Sequence, residues 1–259
     1  MIKISDLEKT YRLKIVKSEI AKNKDEAKKL AKDIGYPVAL KIDSSYILHK
    51  SDIGGVYLNL ANNIEVENAY DNIMESVKSN LSSVKINGVT LQEMIPNGFE
   101  LIIGYTNDMV FGPTIMLGMG GIFTEAFKDI TFRALPITKE DALSMIDDLK
   151  FSKQLLGGFR NIRKVSADTI SDVILKSAKP AWNFKDTIES FDINPAIFYG
   201  NDYRIVDFKC IQLQEKRNPL NDKPNTTDMN SFFNAGSIAI VGATINPDRI
   251  VAIKKLIVD

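Results

Sequence analysis

The sequence contains a single histidine, His49, and its side chain is the first candidate for chemistry. A neutral imidazole near pH 7 is a competent nucleophile and can carry a phosphoryl group. His49 precedes Lys50-Ser51-Asp52 and the glycine pair Gly54-Gly55, so a flexible loop could present the ring to a phosphate. The alternative is a histidine that only packs or lies on the surface. A mechanism needing two histidines in the chain, or a zinc site of several imidazoles, is excluded.

Asn194 and Asp207 are a second candidate, because Mg²⁺ prefers hard oxygen ligands and usually takes one or two from protein. They fall in the predicted strands FDINPAIFY (191–199) and RIVDFKC (204–210), which a glycine-containing hairpin turn joins. Adjacent strands can bring the two side chains together. Asp192 shares the face of Asn194, because side chains two residues apart in a strand point the same way.

Glycines and a lysine are further candidates for phosphate binding. Gly118, Gly120 and Gly121 follow the predicted strand PTIML. Glycine permits close backbone approach, so exposed N–H groups there can bind phosphate or a phosphorylated ring. A tight turn or bulge is the equal alternative. Lys41 ends another predicted strand, where its ammonium would be a fixed charge beside phosphates. The alternative is a solvated lysine on the polar side of the strand.

The hydrophobic pattern predicts the elements that position these side chains. Apolar residues at helical spacing predict helices at 24–35, 64–80, 137–149 and from 166 to about Pro180. Extended patterns predict strands at 13–21, 36–43, 56–60, 88–95, 99–108 and 113–121, before the two strands at 191–199 and 204–210. Gly35 is expected to end the first helix, and Thr138 with Asp141 to cap the third. The interleaving predicts an α/β fold of the α+β type.

Composition bounds the class of protein. The 259 residues carry 33 basic and 33 acidic side chains, for a formal net charge of zero, with 44% hydrophobic residues. Disordered, collagenous and disulfide-scaffold proteins are excluded, and a nucleic-acid partner held by a global basic field is not expected. No run approaches the roughly 20 apolar residues of a membrane span, so no membrane partner is expected. One cysteine, Cys210, cannot form an internal disulfide, so we expect a cytoplasmic protein.

Four segments occur in order over about residues 10–212, and HKSDIGGV is the most diagnostic of them. They are GYPVALKID (35–43), HKSDIGGV (49–56), QEMIPNGFELIIG (92–104) with LGMGGIFTE (117–125), and DINP…RIVDFK (192–209). Together they resemble the ATP-grasp part of the NDP-forming acyl-CoA synthetases, the family of ADP-forming acetate–CoA ligases. That family is related to the nucleotide-binding β subunit of succinyl-CoA synthetase.

The resemblance implies roles for the nucleotide-binding side chains. His49 would be the residue that becomes phosphorylated, and Lys41 would contact the nucleotide phosphates. The segment Gln92-Glu93-Met94-Ile95 would form the interdomain hinge, whose backbone holds adenine. Glu100 would accept hydrogen bonds from the ribose hydroxyls. Ordinary charge at a strand edge is the alternative for both glutamates.

The resemblance also implies roles in phosphoryl transfer. Asn194 and Asp207 would be the Mg²⁺ ligands. Asp192 occupies a position near the phosphohistidine, where family members often carry Glu. Arg133 would face phosphate, with an ion pair to Asp129 as the alternative. The glycines at 54, 55, 118, 120 and 121 and the carboxylate of Glu125 would line the phosphate and histidine loop.

The domain organisation follows the same resemblance. A first ATP-grasp subdomain with the histidine loop is expected at 1–95, and a second with the Mg²⁺ site at 96–212. Residues 213–236 lose periodicity and gather Asn, Asp, Pro and Lys, which predicts a linker. Residues 237–259 resemble a truncated opening of the family's CoA-binding Rossmann domain, too short to enclose CoA.

The expected function is the ATP-grasp component of an ADP-forming acyl-CoA synthetase (acid + CoA + ATP ⇌ acyl-CoA + ADP + Pi). It would transfer phosphoryl between ATP or ADP and His49, with Mg²⁺, and CoA would enter only through a partner. That partner would be a CoA-binding, α-type subunit or domain in a hetero-oligomer, so the lone chain performs at most a half-reaction. A non-catalytic nucleotide-binding or regulatory module, or a truncated remnant, is the alternative. A carboxylate–amine ligase is disfavoured because it needs no histidine loop. The acyl substrate and the choice between adenine and guanine stay open.

Overall fold

A computed structural model of the chain describes residues 4–44, 46–47, 50, 53–80, 85–108, 110–121, 129–213 and 234. The chain divides into two compact units, residues 1–216 and 217–259. Every element given below belongs to the first unit. Apart from Leu213 and Asn234, the predicted linker at 213–236 lies outside the described residues. The predicted Rossmann-like opening at 237–259 also lies outside them.

The described helices and strands alternate along the first unit. In chain order they are α1 Ile4–Lys9, β1 Ser18–Ala21, α2 Lys24–Ile34, β2 Val38–Asp43, β3 Val56–Leu60, α3 Asn63–Asn80, β4 Gly88–Glu93, β5 Phe99–Asp108, β6 Gly112–Met119, β7 Ile130–Ala134, α4 Lys139–Asp147, α5 Ser152–Gly157, α6 Ala167–Asn183, β8 Ile188–Tyr199, β9 Asp202–Ile205 and β10 Phe208–Gln212. The strands form two antiparallel sheets, so the predicted mixed α/β fold is confirmed.

The smaller sheet has four strands in the order β1-β4-β2-β3, and helices α2 and α3 pack against it. Helix α2 begins after Asn23, whose side chain accepts a hydrogen bond from the Glu26 N–H at 2.9 Å. It ends at Gly35, where φ is 98°, as the sequence predicts. The helical positions of α3 that face the sheet are all buried, namely Val66, Ala69, Ile73 and Val77. Apolar spacing therefore determines which face each helix buries.

The larger sheet runs β10-β8-β5-β6-β7, and β9 pairs with the other end of β8. Helices α4 and α6 cover one face and enclose a separate core. The capping box predicted for α4 is present, because the Thr138 and Asp141 side chains each accept from the other's backbone N–H. The prediction that α6 ends near Pro180 is wrong, since the helix continues to Asn183. Pro180 and Ala181 are buried on its core face, and this packing outweighs the backbone hydrogen bond that proline cannot make.

Two predicted strands are divided in the structure. The run 13–21 pairs first with β9, through the hydrogen bond from the Val16 N–H to the Ile205 carbonyl, and only from Ser18 with β4. It therefore crosses from one sheet to the other. The run 204–210 divides into β9 and β10 at Val206 and Asp207. Opposite this break stands Pro195, which has no N–H to give to the ladder.

The amino-terminal segment belongs to both halves of the fold. Leu7 and Leu13 are buried in the core of the larger sheet, although they precede every strand of the smaller one. The predicted first subdomain of 1–95 thus contributes residues to the other core. Across the described ranges, no helix combines the length and apolarity needed to cross a membrane.

Candidate functional site

Lys41 lies on β2, half-buried, at the side of the smaller sheet that approaches the larger one. Its ammonium Nζ donates to the Gln92 side-chain oxygen at 2.6 Å. Burial lowers the pKa of Lys41 below its ordinary value. The carboxylates of Asp207 and Glu100 act in the opposite direction, while the charge of Lys50 lowers the pKa further. A cation of the smaller sheet thus lies within electrostatic range of two carboxylates of the larger one.

Gln92 joins the two sheets through its side chain, whereas the sequence predicted only that its backbone begins the hinge. It lies on β4 and is only 6% exposed. Besides accepting from Lys41, its side-chain NH₂ donates to the Val206 carbonyl at 3.0 Å. Val206 directly precedes Asp207 in the break between β9 and β10. The sequence signal for this role is an amide side chain at a strand position expected to be buried. Such a group needs hydrogen-bond partners, because buried polar groups are almost always paired.

Asn194 and Asp207 are neighbours across that break, as the hairpin pattern predicts. The Asn194 N–H donates to the Asp207 carbonyl at 3.2 Å, and both side chains are exposed. Burial raises the pKa of the adjacent half-buried Asp192, a hydrogen bond from Asn194 opposes this shift, and the charge of Asp207 adds to it. The charge of Lys209, opposite Asp192 on β10, opposes it as well. The three oxygen-bearing side chains therefore form one cluster, while their role at a metal stays a prediction.

The donor set of this cluster fits Mg²⁺. An exposed carboxylate and an exposed amide oxygen lie side by side, and Mg²⁺ takes one or two such ligands and completes its octahedron with water and phosphate. Among the residues described, no group of three or more His, Cys, Asp and Glu side chains could hold a metal. The described part of the chain therefore has no site in which such side chains alone would enclose a metal.

Glu100, the predicted ribose acceptor, packs against the predicted phosphate glycines. Its backbone carbonyl accepts from the Gly120 N–H at 2.7 Å. A Cβ at Gly120 would lie 3.0 Å from the Glu100 backbone, and one at Gly121 would lie 2.9 Å from the Glu100 carboxylate. The glycines thus allow close approach to Glu100, and the Gly120 N–H is already paired. Gly118 lies inside β6, where a Cβ would meet the Ile130 side chain at 2.7 Å.

The predicted adenine hinge connects the two sheets. Strand β4 ends at Glu93, and residues 94–98 lead to β5. The Glu93 carboxylate accepts from the Lys17 N–H at 3.0 Å and lies 3.8 Å from Arg204 Nε. The Met94 N–H donates to the Pro37 carbonyl at 3.4 Å, and Met94 and Ile95 are both half-buried. The hinge is thus braced by side-chain and backbone contacts on both sides.

The glycine pair of the histidine loop is fixed to the end of β2. The Gly55 N–H donates to the Lys50 carbonyl, and the Gly55 carbonyl accepts from the Ile42 N–H, each at 2.8 Å. Gly54 adopts a φ of +66°, which favours glycine. His49, Asp52 and the predicted phosphate-loop residue Glu125 lie outside the described residues.

Arg133 is not brought to this cluster by any contact recorded among the described residues. It lies on the edge strand β7, and its guanidinium donates to Ser144 at 2.5 Å and to Asp148 at 2.6 Å. The Asp129 carboxylate, the alternative partner predicted from sequence, accepts instead from the backbone N–H groups of Lys150 and Phe151. Arg133 therefore anchors the α4 region to the sheet, and its catalytic role stays a prediction.

Two α/β halves, each with its own sheet and core and with charged side chains at their junction, define the ATP-grasp class of fold. A family model described as an ATP-grasp domain matches residues 2–211. The chain therefore belongs to the ATP-grasp family.

Curated relatives narrow the branch of that family. The β subunit of acetate–CoA ligase [ADP-forming] I from Pyrococcus furiosus is 39% identical over 203 residues, which cover 78% of this chain and 87% of the subunit. Acetate–CoA ligase [ADP-forming] I from Archaeoglobus fulgidus is 38% identical over 205 residues. The match covers 79% of this chain and 30% of that longer protein. The chain thus spans most of a separate β subunit and less than a third of the longer relative.

Solved structures of one relative are similar as well. The dinucleotide forming acetyl-coenzyme A synthetase 1 of Ca. Korarchaeum cryptofilum, in complex with coenzyme A, Ca-AMPCP and HgCl+, is 40% identical with a TM-score of 0.74. The match covers 79% of this chain and 88% of that chain. A second complex of that protein, with coenzyme A and Mg-AMPPCP, matches 79% of this chain and 87% of its own chain with 37% identity and a TM-score of 0.67. Its phosphohistidine segment is described as pointing towards the nucleotide binding site.

Proposed function

We propose that the chain is the ATP-grasp component of an ADP-forming acyl-CoA synthetase, and that it exchanges a phosphoryl group between ATP or ADP and His49. The observation that carries this function is the link from Lys41 on the smaller sheet through Gln92 to Val206, next to Asp207 on the larger sheet. The charges of Asp207 and Glu100 also act on the Lys41 ammonium. A cation on one sheet and metal-type oxygen ligands on the adjoining sheet suit a triphosphate and its Mg²⁺. The relatives named as ADP-forming ligases supply the reaction class.

Each residue of the cluster has a distinct task in this reaction. The Lys41 ammonium would neutralise phosphate charge, and its partial burial strengthens that interaction because water screens it less. Asn194 and Asp207 would hold Mg²⁺, which when bound supplies charge neutralisation at the phosphates. The hinge at 93–95 would hold the base, and Glu100 the ribose.

The transfer step needs a neutral imidazole at His49. A ring nitrogen would bond to the γ-phosphorus of ATP as the bond from that phosphorus to the β,γ-bridging oxygen breaks. ADP leaves with the electron pair, and the reverse step restores ATP. Lys50, the next residue along the chain, lies close enough to Lys41 to lower its pKa. This proximity supports a histidine loop that serves the same phosphates.

The rest of the reaction is assigned to a partner. The match to most of a β subunit, and to less than a third of a longer ligase, supports a CoA-binding α-type subunit or domain in a hetero-oligomer. The acid, CoA and the acyl phosphate would be bound there. A Rossmann-like opening at 237–259, a cytoplasmic location, and the absence of nucleic-acid or membrane partners remain parts of this proposal.

Labelling with [γ-³²P]ATP tests the function directly. We expect Mg²⁺-dependent label on the protein that is acid-labile and alkali-stable, as a phosphoramidate is. The label should disappear in His49→Ala, while calorimetry shows that this variant still binds ATP. A wild-type protein that is folded and binds ATP but takes no label would instead be a non-catalytic nucleotide-binding module.

A further inference from the structure

The side chain of Gln92 makes two hydrogen bonds, one to each half of the site. Its amide oxygen accepts from Lys41 Nζ at 2.6 Å, and its amide NH₂ donates to the Val206 carbonyl at 3.0 Å. The Gln92 side chain is 6% exposed, and both bonds are partly shielded from water. One neutral group thus fixes a cation of the smaller sheet and the backbone of the larger one.

The neutrality of this side chain matters because Lys41 has competing attractions. Asp207 and Glu100 both lie close enough to affect its charge. A lysine carries its ammonium on a flexible four-carbon stem, which without an anchor would swing toward a carboxylate. An ammonium paired with Asp207 would neutralise the ligand proposed for Mg²⁺. The Gln92 oxygen accepts from Lys41 without cancelling its charge, which stays available for phosphate.

The second bond reaches the opposite half of the site. Val206 sits in the two-residue break between β9 and β10, and Asp207 follows it directly. The two sheets have separate cores, so packing within one core does not determine the position of the other. A part-buried hydrogen bond from β4 to Val206 ties the lysine-bearing sheet to the segment that carries Asp207.

We propose that Gln92 is a positioning residue of the nucleotide site, holding the Lys41 ammonium toward the phosphates and fixing Val206 beside the metal-ligand pair. This role rests on the proposed function. Gln92 acts through Lys41 and Val206 and need not touch the phosphates itself. The residue type follows from the two bonds, because the same side chain must supply one acceptor and one donor without a charge.

A double-mutant cycle tests the role. Calorimetry measures the affinity for ATP with Mg²⁺ in the wild type, Gln92→Met, Lys41→Met and the double variant. We expect Gln92→Met to weaken binding about tenfold, the lower end of what a hydrogen bond to a charged group contributes. In the Lys41→Met background the same change should weaken binding by clearly less than tenfold, because the part of the loss that acts through Lys41 is already absent and only the part that acts through Val206 remains. Gln154→Met is the matched control, a half-buried glutamine on α5 whose side-chain oxygen has no hydrogen-bond partner among the described residues.

The outcomes separate this role from the proposed function. The positioning role would be overturned if the Gln92→Met change weakened ATP binding equally in both backgrounds. It would also be overturned if Gln92→Met bound ATP as the wild type does while Lys41→Met bound it weakly. Either result would leave the proposed function standing. A wild type that does not bind ATP would refute both. If Gln92→Met does not fold, Gln92→Glu replaces it, because the near-isosteric carboxylate still accepts from Lys41 but cancels its charge. We then expect about a tenfold loss of ATP affinity, and wild-type affinity would overturn the role.

Discussion

The most local test of the histidine loop is Gly55→Ala. Gly55 is buried, and a Cβ added there would lie 2.6 Å from the Ile42 side chain and 2.8 Å from the Lys50 carbonyl. Both distances are shorter than any relaxed contact. Ile42 is fully buried in the smaller core, and the Lys50 carbonyl is backbone, so neither neighbour can move aside easily.

The cost follows from these two contacts. Overpacking a filled core costs about 1–3 kcal/mol. Pushing the Lys50 carbonyl away also breaks its 2.8 Å hydrogen bond from the Gly55 N–H, a loss of about 1 kcal/mol. We therefore expect the free energy of unfolding to fall by about 2–4 kcal/mol. For a chain of this size that corresponds to a Tm lower by about 4–16 °C.

Differential scanning calorimetry measures this change, with Gly157→Ala as the matched control. A Cβ at Gly157 would meet no atom within 4 Å, and this residue ends helix α5. Its replacement should leave Tm unchanged or raise it, because alanine favours the helix by up to about 1 kcal/mol. Phosphate label on Gly55→Ala should fall at temperatures where the variant is still folded, because the displaced Lys50 carbonyl belongs to the residue that follows His49 in the chain. Equal Tm values for the two variants would refute the packing described for Gly55.

Two further predictions concern the metal ligands and a helix cap. The wild type should bind ATP more tightly with Mg²⁺ than in EDTA. Asp207→Ala should lose most of this Mg²⁺-dependent gain in affinity. We expect a loss of at least roughly tenfold, because even changes outside the first ligand shell of a metal site cause a loss of that size. Calorimetry compares it with Asp202→Ala, whose carboxylate binds Lys14 and Arg204 and whose Mg²⁺ dependence should be that of the wild type. Thr138→Ala should lower the free energy of unfolding by about 1 kcal/mol, and Tm by about 2–4 °C, through loss of the capping box. Its ATP affinity should not change, because the cap makes its hydrogen bonds within the first turn of α4, and a weakened affinity would contradict this expectation.

Local chemistry made much of the fold predictable. Helix α3 buries the four residues that its spacing places on one face, and α2 ends at Gly35 with the positive φ that only glycine adopts freely. Asn194 and Asp207 could be paired from sequence because a short hairpin brings its strands together without help from distant residues.

Long-range pairing could not be derived in the same way. Nothing in the alternation of residues 13–21 shows that the run leaves one sheet at Val16 and joins another at Ser18. Pairing partners for these residues lie roughly 70 to 190 positions away in the chain. The side-chain role of Gln92 was missed for the same reason, because it depends on a hydrogen bond to Val206, 114 residues later.

The two sheets contribute groups of opposite charge to the site, which explains why a hydrogen-bonded link between the sheets is needed. The smaller sheet supplies a cation, Lys41, and the larger supplies the carboxylates within electrostatic range of it. Because each sheet packs around its own core, an error of an ångström in their relative position would cost neither core its packing. It would nevertheless misplace the ammonium relative to Asp207, where Coulomb energies change steeply with distance. Stability of the two cores therefore cannot by itself set the geometry of the site. Specific polar contacts must do so, and the bonds of Gln92 to Lys41 and Val206 meet that requirement.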